Sequence, residues 1–159
     1  MNTTVKKISL PRLIFVCGIT LAAGLLGGFL ARNSFASYEA LQKPPLAPAG
    51  FIFPIVWVAL YLLMGLAAYF IGEEKSDESK KALTTFVFYM VLNFLWPTAF
   101  FKKGAFLGAL LLVAGQLVLI CACIFSYYRI DRKAAYLLVP TAVWSLFAFY
   151  LNLGFLVLN

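Results

Sequence analysis

Residues 43–57 read Lys43-Pro-Pro-Leu-Ala-Pro-Ala-Gly-Phe-Ile-Phe-Pro-Ile-Val-Trp57, which places four prolines and a tryptophan between a polar segment and a long apolar run. Proline lacks a backbone N–H donor and fixes φ, so a cluster of prolines interrupts a helix. The stretch therefore predicts a shaped entrance at the point where the chain passes from a polar segment into an apolar one.

The apolar run that follows belongs to one of five segments without a charged residue. These segments are Leu13–Ala31, Pro44–Gly72, Ala82–Phe101, Gly104–Tyr128 and Ala134–Asn159. A membrane-spanning helix needs roughly 20 apolar residues. Hydrocarbon offers the backbone no other hydrogen-bond partner, so the segments must be helical. We predict an all-α integral membrane protein, a single domain with a bundle of five transmembrane helices at about 10–31, 50–72, 82–101, 104–128 and 134–158.

Composition supports a membrane protein over a soluble one. The chain is 64% hydrophobic and only 12% charged, and its mean hydropathy is +0.94. A soluble domain of 159 residues could not bury that much apolar surface. A signal peptide is the alternative for the first segment, but the segment is long and no small-residue cleavage site is evident before Arg32, so we expect a retained helix.

The basic residues predict an orientation in the membrane, because Lys and Arg are enriched in cytoplasmic loops. One side carries nine of the 13 basic residues: Lys6, Lys7, Arg12, Lys75, Lys80, Lys81, Arg129, Arg132 and Lys133. The other side carries four: Arg32, Lys43, Lys102 and Lys103. In a bacterial-type inner membrane this distribution places the N-terminus in the cytoplasm and the C-terminus outside. The net charge of +7 is then an orientation signal, and no nucleic-acid partner is expected.

Several kinds of chemistry are missing from the sequence. It has no histidine, and all six carboxylates lie between the predicted spans, so ion-coupled transport and histidine-based catalysis are not expected. The spacing of Cys17, Cys121 and Cys123 is not that of metal ligands. We predict no catalytic residue, no metal site and no cofactor.

Aromatic and amide side chains recur on three of the predicted helices. The stripes are Phe53, Trp57 and Tyr61 on the second, Asn93, Trp96, Pro97 and Phe100 on the third, and Thr141, Trp144, Ser145, Ala148 and Asn152 on the fifth. Flat rings beside a few hydrogen-bonding groups suit a rigid, flat and largely apolar ligand. Ordinary packing within the bundle is the alternative, because aromatics at helical spacing often serve only that purpose.

Three segments resemble the TspO/translocator-protein family, also called tryptophan-rich sensory proteins or peripheral-type benzodiazepine receptors. They are Lys43–Gly50 with Phe53-Pro-Ile-Val-Trp57 and Leu60–Gly65, then Leu92-Asn-Phe-Leu-Trp-Pro97 with Phe100-Phe101, and then Leu138-Val-Pro140 with Trp144–Ala148 and Leu151-Asn152. Together with the five-helix layout, the resemblance covers nearly the whole chain. It implies a five-helix bundle, commonly a homodimer, whose pocket lies under residues 32–49 acting as a lid loop.

The resemblance also implies roles for individual residues. Trp57 and Asn93 would form the pocket floor and bond the ligand, and Tyr38 and Pro45 would belong to the lid. The walls would be Trp96, Phe100, Trp144, Phe147 and Ala148. With the aromatic and amide stripes, the predicted ligand-binding set is Tyr38, Pro45, Phe53, Trp57, Tyr61, Asn93, Trp96, Phe100, Trp144, Phe147, Ala148 and Asn152.

The ligand classes implied by the resemblance are porphyrins and other tetrapyrroles, sterols and benzodiazepine-type drugs. Tyr150 is not followed by the basic residue of the sterol-recognition pattern found in animal members, so a porphyrin-type tetrapyrrole is favoured over a sterol. The predicted function is a membrane receptor or sensor that binds such tetrapyrroles and could translocate them. Two alternatives remain open: light-dependent porphyrin degradation, and a regulatory dimer built on the small-residue pairs Gly24/Gly28 and Gly104/Gly108.

Overall fold

The computed structural model describes residues 8–32, 35–102 and 105–159, and this part of the chain is helical, without a strand. The helices are α1 (Leu10–Ala31), α2 (Phe35–Ala40), α3 (Ile52–Glu73), α4 (Asp77–Pro97), a π-helical turn (Thr98–Lys102), α5 (Phe106–Ile130) and α6 (Arg132–Leu158). Five helices are long and apolar enough to cross a membrane. The predicted all-α, five-helix class is confirmed, and the lipid bilayer is the environment that these helices require.

The five long helices form a closed ring. Helix α1 packs between α3 and α4, α3 packs on α6, α6 on α5, and α5 on α4. Large apolar side chains such as Phe15, Val118 and Val143 point outward and are exposed. On a membrane-spanning helix such side chains face hydrocarbon, so this exposure carries no penalty there.

The predicted spans and the observed helices differ at their ends. Helix α4 begins at Asp77, five residues before the charge-free segment, because Ser76 caps it and its side chain accepts a hydrogen bond of 3.0 Å from the Ser79 N–H. Asp77 and Glu78 in the first turn complement the helix dipole. Absence of charge therefore marks where the chain can enter lipid, whereas the helix itself continues into water.

The segment predicted as a loop, residues 32–49, contains a short helix. Helix α2 occupies Phe35–Ala40 and ends shortly before Pro44. Its sequence favours a helix, because alanine and glutamate are good helix formers. The remainder is irregular, with a turn in which the Ala47 N–H donates to the Pro44 carbonyl at 3.2 Å.

Pro97 marks a change of helical geometry in the third membrane-spanning segment. Proline has no N–H to donate to the carbonyl of Asn93, so the regular α-helical pattern is interrupted there. The chain continues as a π-helical turn over Thr98–Lys102. Such turns inside helices often occur at functional sites, and this one carries Phe100 and Phe101 into the bundle.

Candidate functional site

A cavity of about 570 Å³ lies between α1, α3 and α4. Its lining is almost entirely apolar. The residues are Ala22, Gly24, Leu25, Leu26, Gly28, Phe29 and Arg32 from α1 and its end, Phe53, Pro54, Trp57 and Tyr61 from α3, and Asn93, Trp96, Pro97 and Phe101 from α4 and the π-helical turn. We call this space the α1 cavity. Its volume falls within the range of pockets that take small organic ligands.

One part of the α1 cavity is polar, and its groups are held in a fixed arrangement. The Tyr61 hydroxyl donates to the Asn93 side-chain oxygen. The Asn93 amide nitrogen in turn donates to the Gln116 oxygen at 3.2 Å, and Gln116 donates to the Leu92 carbonyl at 3.3 Å. This chain of bonds orients the Asn93 amide beside an otherwise apolar space, where it can still offer one N–H and one lone pair.

Two tryptophans supply flat walls. Trp57 stacks on Tyr61, with ring centroids 5.4 Å apart and an interplanar angle of 26°. Trp96 stacks on Phe100 at 5.3 Å and 22°, and its indole N–H donates to the Asn152 oxygen at 3.1 Å. Asn152 thus positions a cavity wall from the neighbouring helix α6 without itself lining the cavity. Offset-stacked rings of this kind are suited to packing against a further aromatic surface.

Gly24 lets α1 approach the site closely. A Cβ atom at this position would lie 2.0 Å from atoms of the Tyr61 ring. This distance is too short for any side chain, so only glycine fits here. A Cβ at Gly28 would meet nothing within 4 Å. In the small-residue pair Gly24/Gly28, Gly24 therefore contacts a helix of its own chain. The second small-residue pair, Gly104/Gly108, includes Gly104, which lies outside the described residues.

The structure brings five of the twelve predicted site residues to the α1 cavity: Phe53, Trp57, Tyr61, Asn93 and Trp96. The other seven do not line it. They are Tyr38, Pro45, Phe100, Trp144, Phe147, Ala148 and Asn152. Most of these belong to or border a second feature, the aromatic cluster, which comprises Tyr38, Phe53, Trp96, Phe100, Phe101 and Phe155.

The aromatic cluster lies beneath the predicted lid, and the ring of Tyr38 fills its centre. Tyr38 is 1% exposed and meets Phe155 at 5.5 Å and Phe53 at 5.7 Å between ring centroids. Its hydroxyl donates to the Pro48 carbonyl at 2.9 Å. Burial, together with the neighbouring Glu39 carboxylate, raises the pKa of the Tyr38 phenol, so the hydroxyl remains a donor throughout the physiological pH range. Tyr38 therefore belongs to the aromatic cluster and does not line the α1 cavity.

The lid segment is tied to the end of α6. The Tyr150 hydroxyl donates to the Pro45 carbonyl at 2.8 Å. The Asn159 side chain accepts from the Gln42 N–H at 2.9 Å and donates to the Gln42 carbonyl at 3.0 Å. Directly after Pro45, Leu46 adopts a φ of 65°, a left-handed conformation that is unusual for a residue with a Cβ. Pro45 thus acts through its backbone, as a docking point for Tyr150.

The inner face of α6 carries polar atoms that make no hydrogen bond within the described part of the chain. They are Thr141 Oγ1 and Trp144 Nε1, and the hydroxyl of Tyr127 on the neighbouring helix α5 shares this property. Buried polar groups usually have a partner, in many cases an ordered water. Trp144 also packs on Phe53, with ring centroids at 6.1 Å, so it stands between this polar face and the aromatic cluster.

Sequence reasoning missed the contribution of α1 to the cavity. Ala22, Leu25, Phe29 and Arg32 recur at the three- and four-residue intervals of one helical face. That face could not be recognised beforehand, because α1 is apolar on all sides and periodicity then carries little information. The described residues contain no cluster of metal-ligating side chains.

Comparison with known proteins agrees with the architecture. The sequence model of the TspO/MBR family matches residues 16–158. The "Tryptophan-rich protein TspO" of Chlorobaculum tepidum is 32% identical over 145 residues, covering 89% of this chain and 92% of the relative. The bovine "Translocator protein" is 35% identical over 153 residues, with coverages of 89% and 88%. The "Tryptophan-rich sensory protein" of Cereibacter sphaeroides is 31% identical over 122 residues, with coverages of 77% and 76%. With most of its length matched and five membrane-length helices in place, this chain belongs to the TspO/MBR family.

Proposed function

We propose that this protein is a membrane receptor or sensor that binds porphyrin-type tetrapyrroles in the α1 cavity. The observation that carries the proposal is the combination of two tryptophan walls, Trp57 and Trp96, with a single oriented amide, Asn93, in an otherwise apolar space. A flat, rigid macrocycle gains contact area from such walls, and a few polar groups suffice to orient it.

The family supports the broader part of this proposal. Five apolar helices and the family match make the chain an integral, multi-pass membrane protein. Relatives carry the names "Translocator protein" and "Tryptophan-rich sensory protein", which fit a membrane receptor or sensor role. We extend this role to the present chain. The proposal includes movement of the bound tetrapyrrole across the bilayer.

A sterol is the competing ligand. The α1 cavity would also accommodate an apolar ring system, and a sterol hydroxyl could bond to Asn93. The aromatic character of the walls favours the tetrapyrrole, because flat faces of Trp57 and Trp96 stack with a planar π-system and gain less from a puckered aliphatic one.

The test is a titration of the purified protein with protoporphyrin IX, followed by the shift of the porphyrin absorbance. We compare the wild type with Trp57→Ala and with Phe51→Ala, a matched control that removes an exposed aromatic side chain outside the cavity. We expect saturable binding of protoporphyrin IX. Trp57→Ala should lower the affinity about 10-fold, and Phe51→Ala should leave it unchanged. Equal affinity of all three proteins for protoporphyrin IX would place the porphyrin outside the α1 cavity. Saturable binding of cholesterol without saturable binding of protoporphyrin IX would favour the sterol.

The proposed orientation follows from the charge distribution and can be tested separately. The Ser9–Tyr69 hydrogen bond and the Arg12–Glu73 ion pair lie at the opposite end of the bundle from the lid, which contacts the end of α6. We propose that the Arg12 end faces the cytoplasm and that the lid faces outward. Single cysteines near Lys43 and near Lys133, labelled with an impermeant thiol reagent in intact cells, should differ in reactivity, and only the first should react.

A further inference from the structure

The α1 cavity contains one charged residue, and it stands at the outer end. Arg32 follows the last residue of α1 and is exposed, and its guanidinium lies 3.8 Å from the centre of the Phe29 ring. Phe29 also lines the cavity. This cation–π contact holds the charge beside the cavity rather than leaving it free to extend into water.

No acidic side chain of the described residues forms an ion pair with Arg32. The carboxylate at this end of the bundle, Glu39, is bonded to Lys43, whereas Glu73 pairs with Arg12 at the opposite end. Among the described residues, the Arg32 guanidinium therefore has no carboxylate partner, and its planar set of N–H donors matches the geometry of a carboxylate.

The charge and the polar part of the cavity are separated along the helix axis. Gly24 contacts Tyr61 at the level of the Asn93 amide, and Arg32 follows eight residues later. At 1.5 Å per residue this separation is about 12 Å. A ligand that spans it needs an apolar body between Trp57 and Trp96 and an anionic group on a flexible arm at the membrane surface.

We infer that Arg32 is a specificity-determining residue, which binds a carboxylate of the tetrapyrrole at the end of the α1 cavity. This inference rests on the proposed function, which it deepens by naming the residue that holds the acidic arm of the ligand. The macrocycle occupies the apolar cavity, and its carboxylate arm leaves at the outer end, where water and the guanidinium stabilise the negative charge.

The experiment compares two ligands that differ only in this group, protoporphyrin IX and its dimethyl ester. Both are titrated into wild type, Arg32→Gln, Arg32→Lys and Arg129→Gln in a sugar-headgroup detergent, which contains no phosphate. Arg129→Gln is the matched control, because Arg129 is also an exposed arginine beside a phenylalanine ring, at 4.2 Å from Phe125, near the end of α5. Thermal unfolding of the four proteins checks that each one folds.

The inference expects wild type to prefer the diacid over the diester by about 10-fold, the effect of one charge-assisted hydrogen-bonded pair. Arg32→Gln should lose this preference through weaker diacid binding alone, Arg32→Lys should restore part of it, and Arg129→Gln should behave as wild type. High salt should reduce the preference in wild type and have little effect in Arg32→Gln.

Three results would overturn the inference while leaving the proposed function intact. They are equal binding of both ligands by wild type, an equal loss of both ligands in Arg32→Gln, and a wild-type preference that Arg32→Gln retains. The same comparison is repeated in nanodiscs of anionic lipid. A difference between wild type and Arg32→Gln that arises only there would assign Arg32 to a lipid headgroup, and this result would also overturn the inference. If wild type bound neither porphyrin saturably, the proposed function itself would fail.

Discussion

At the scale of single residues, the buried polar groups of this bundle fall into two classes. Asn93 is bonded on both sides, to Tyr61 and Gln116. Thr141 is fully buried, and its hydroxyl makes no hydrogen bond to the described residues. The free energy cost of removing a buried polar group depends on the partners it leaves behind, so these two residues should respond very differently to substitution.

Replacing Asn93 by leucine should lower the free energy of unfolding by about 2 kcal/mol, because it leaves the Tyr61 hydroxyl and the Gln116 oxygen unpaired in an apolar medium. Thr141→Val, its control, removes a hydroxyl without a partner and conserves shape, so it should be neutral or slightly stabilising. Denaturant-induced unfolding in mixed micelles measures the free energy of unfolding of both variants. A cost at Thr141 equal to that at Asn93 would contradict the distinction.

At the scale of elements, α1 is held to α3 through glycine positions. The missing Cβ of Gly24 leaves room for the Tyr61 ring, and Gly65 on α3 faces Thr20 and the backbone of Cys17. The Thr20 hydroxyl also bonds to the Tyr61 carbonyl at 3.2 Å. Close approach through small residues is the usual way in which membrane helices associate, since hydrocarbon provides no hydrophobic driving force between them.

Gly24→Ala should destabilise the protein by about 1–3 kcal/mol, because a methyl group would overlap the Tyr61 ring and force α1 and α3 apart. Gly18→Ala is the matched control on the same helix, since a Cβ there meets nothing within 4 Å. It should be neutral or stabilising by virtue of higher helix propensity. The measurement is thermal unfolding, together with tryptophan fluorescence, to which Trp57, stacked on Tyr61, contributes beside Trp96 and Trp144. Equal stability of the two variants would refute the close contact.

The lid and α6 also act on each other as elements. The double variant Tyr150→Phe/Asn159→Ala removes the side-chain bonds that tie Pro45 and Gln42 to α6. Hydrogen exchange at the Ala47 amide, which bonds to the Pro44 carbonyl, should become about 5-fold faster, equivalent to about 1 kcal/mol of lost lid stability. Tyr136→Phe is the control, because it removes an exposed tyrosine hydroxyl far from the lid. Unchanged exchange in the double variant would mean that these side-chain bonds do not hold the lid.

At the scale of the whole molecule, homodimer formation stays a prediction, and α4 offers the surface on which to test it. Val87, Phe88, Val91 and Leu95 are exposed on one face of this helix. In a two-fold symmetric dimer, residues near the axis meet their own copies. A cysteine at Val91 in a cysteine-free background should therefore form disulfide-linked dimers under mild oxidation in membranes. Val118→Cys on α5, which is also exposed, is the control, and equal cross-linking at both positions would argue against an α4 interface.

The sequence by itself determined the membrane-spanning architecture, since five charge-free segments of sufficient length permit only helices in hydrocarbon. It also pointed to Phe53, Trp57, Tyr61, Asn93 and Trp96, because these residues share helical faces that combine aromatic and amide groups. Both conclusions depend on local spacing, which can be read along one chain.

Tertiary structure alone decided where the α1 cavity lies. Tyr38 is buried among the aromatic rings under the lid, α1 forms one side of the cavity, and Arg32 becomes its charged end. None of this is visible in a uniformly apolar helix, whose sequence does not show which face meets its neighbours. The physical reason is that packing between helices, set by contacts such as Gly24 against Tyr61, depends on residues far apart in the chain.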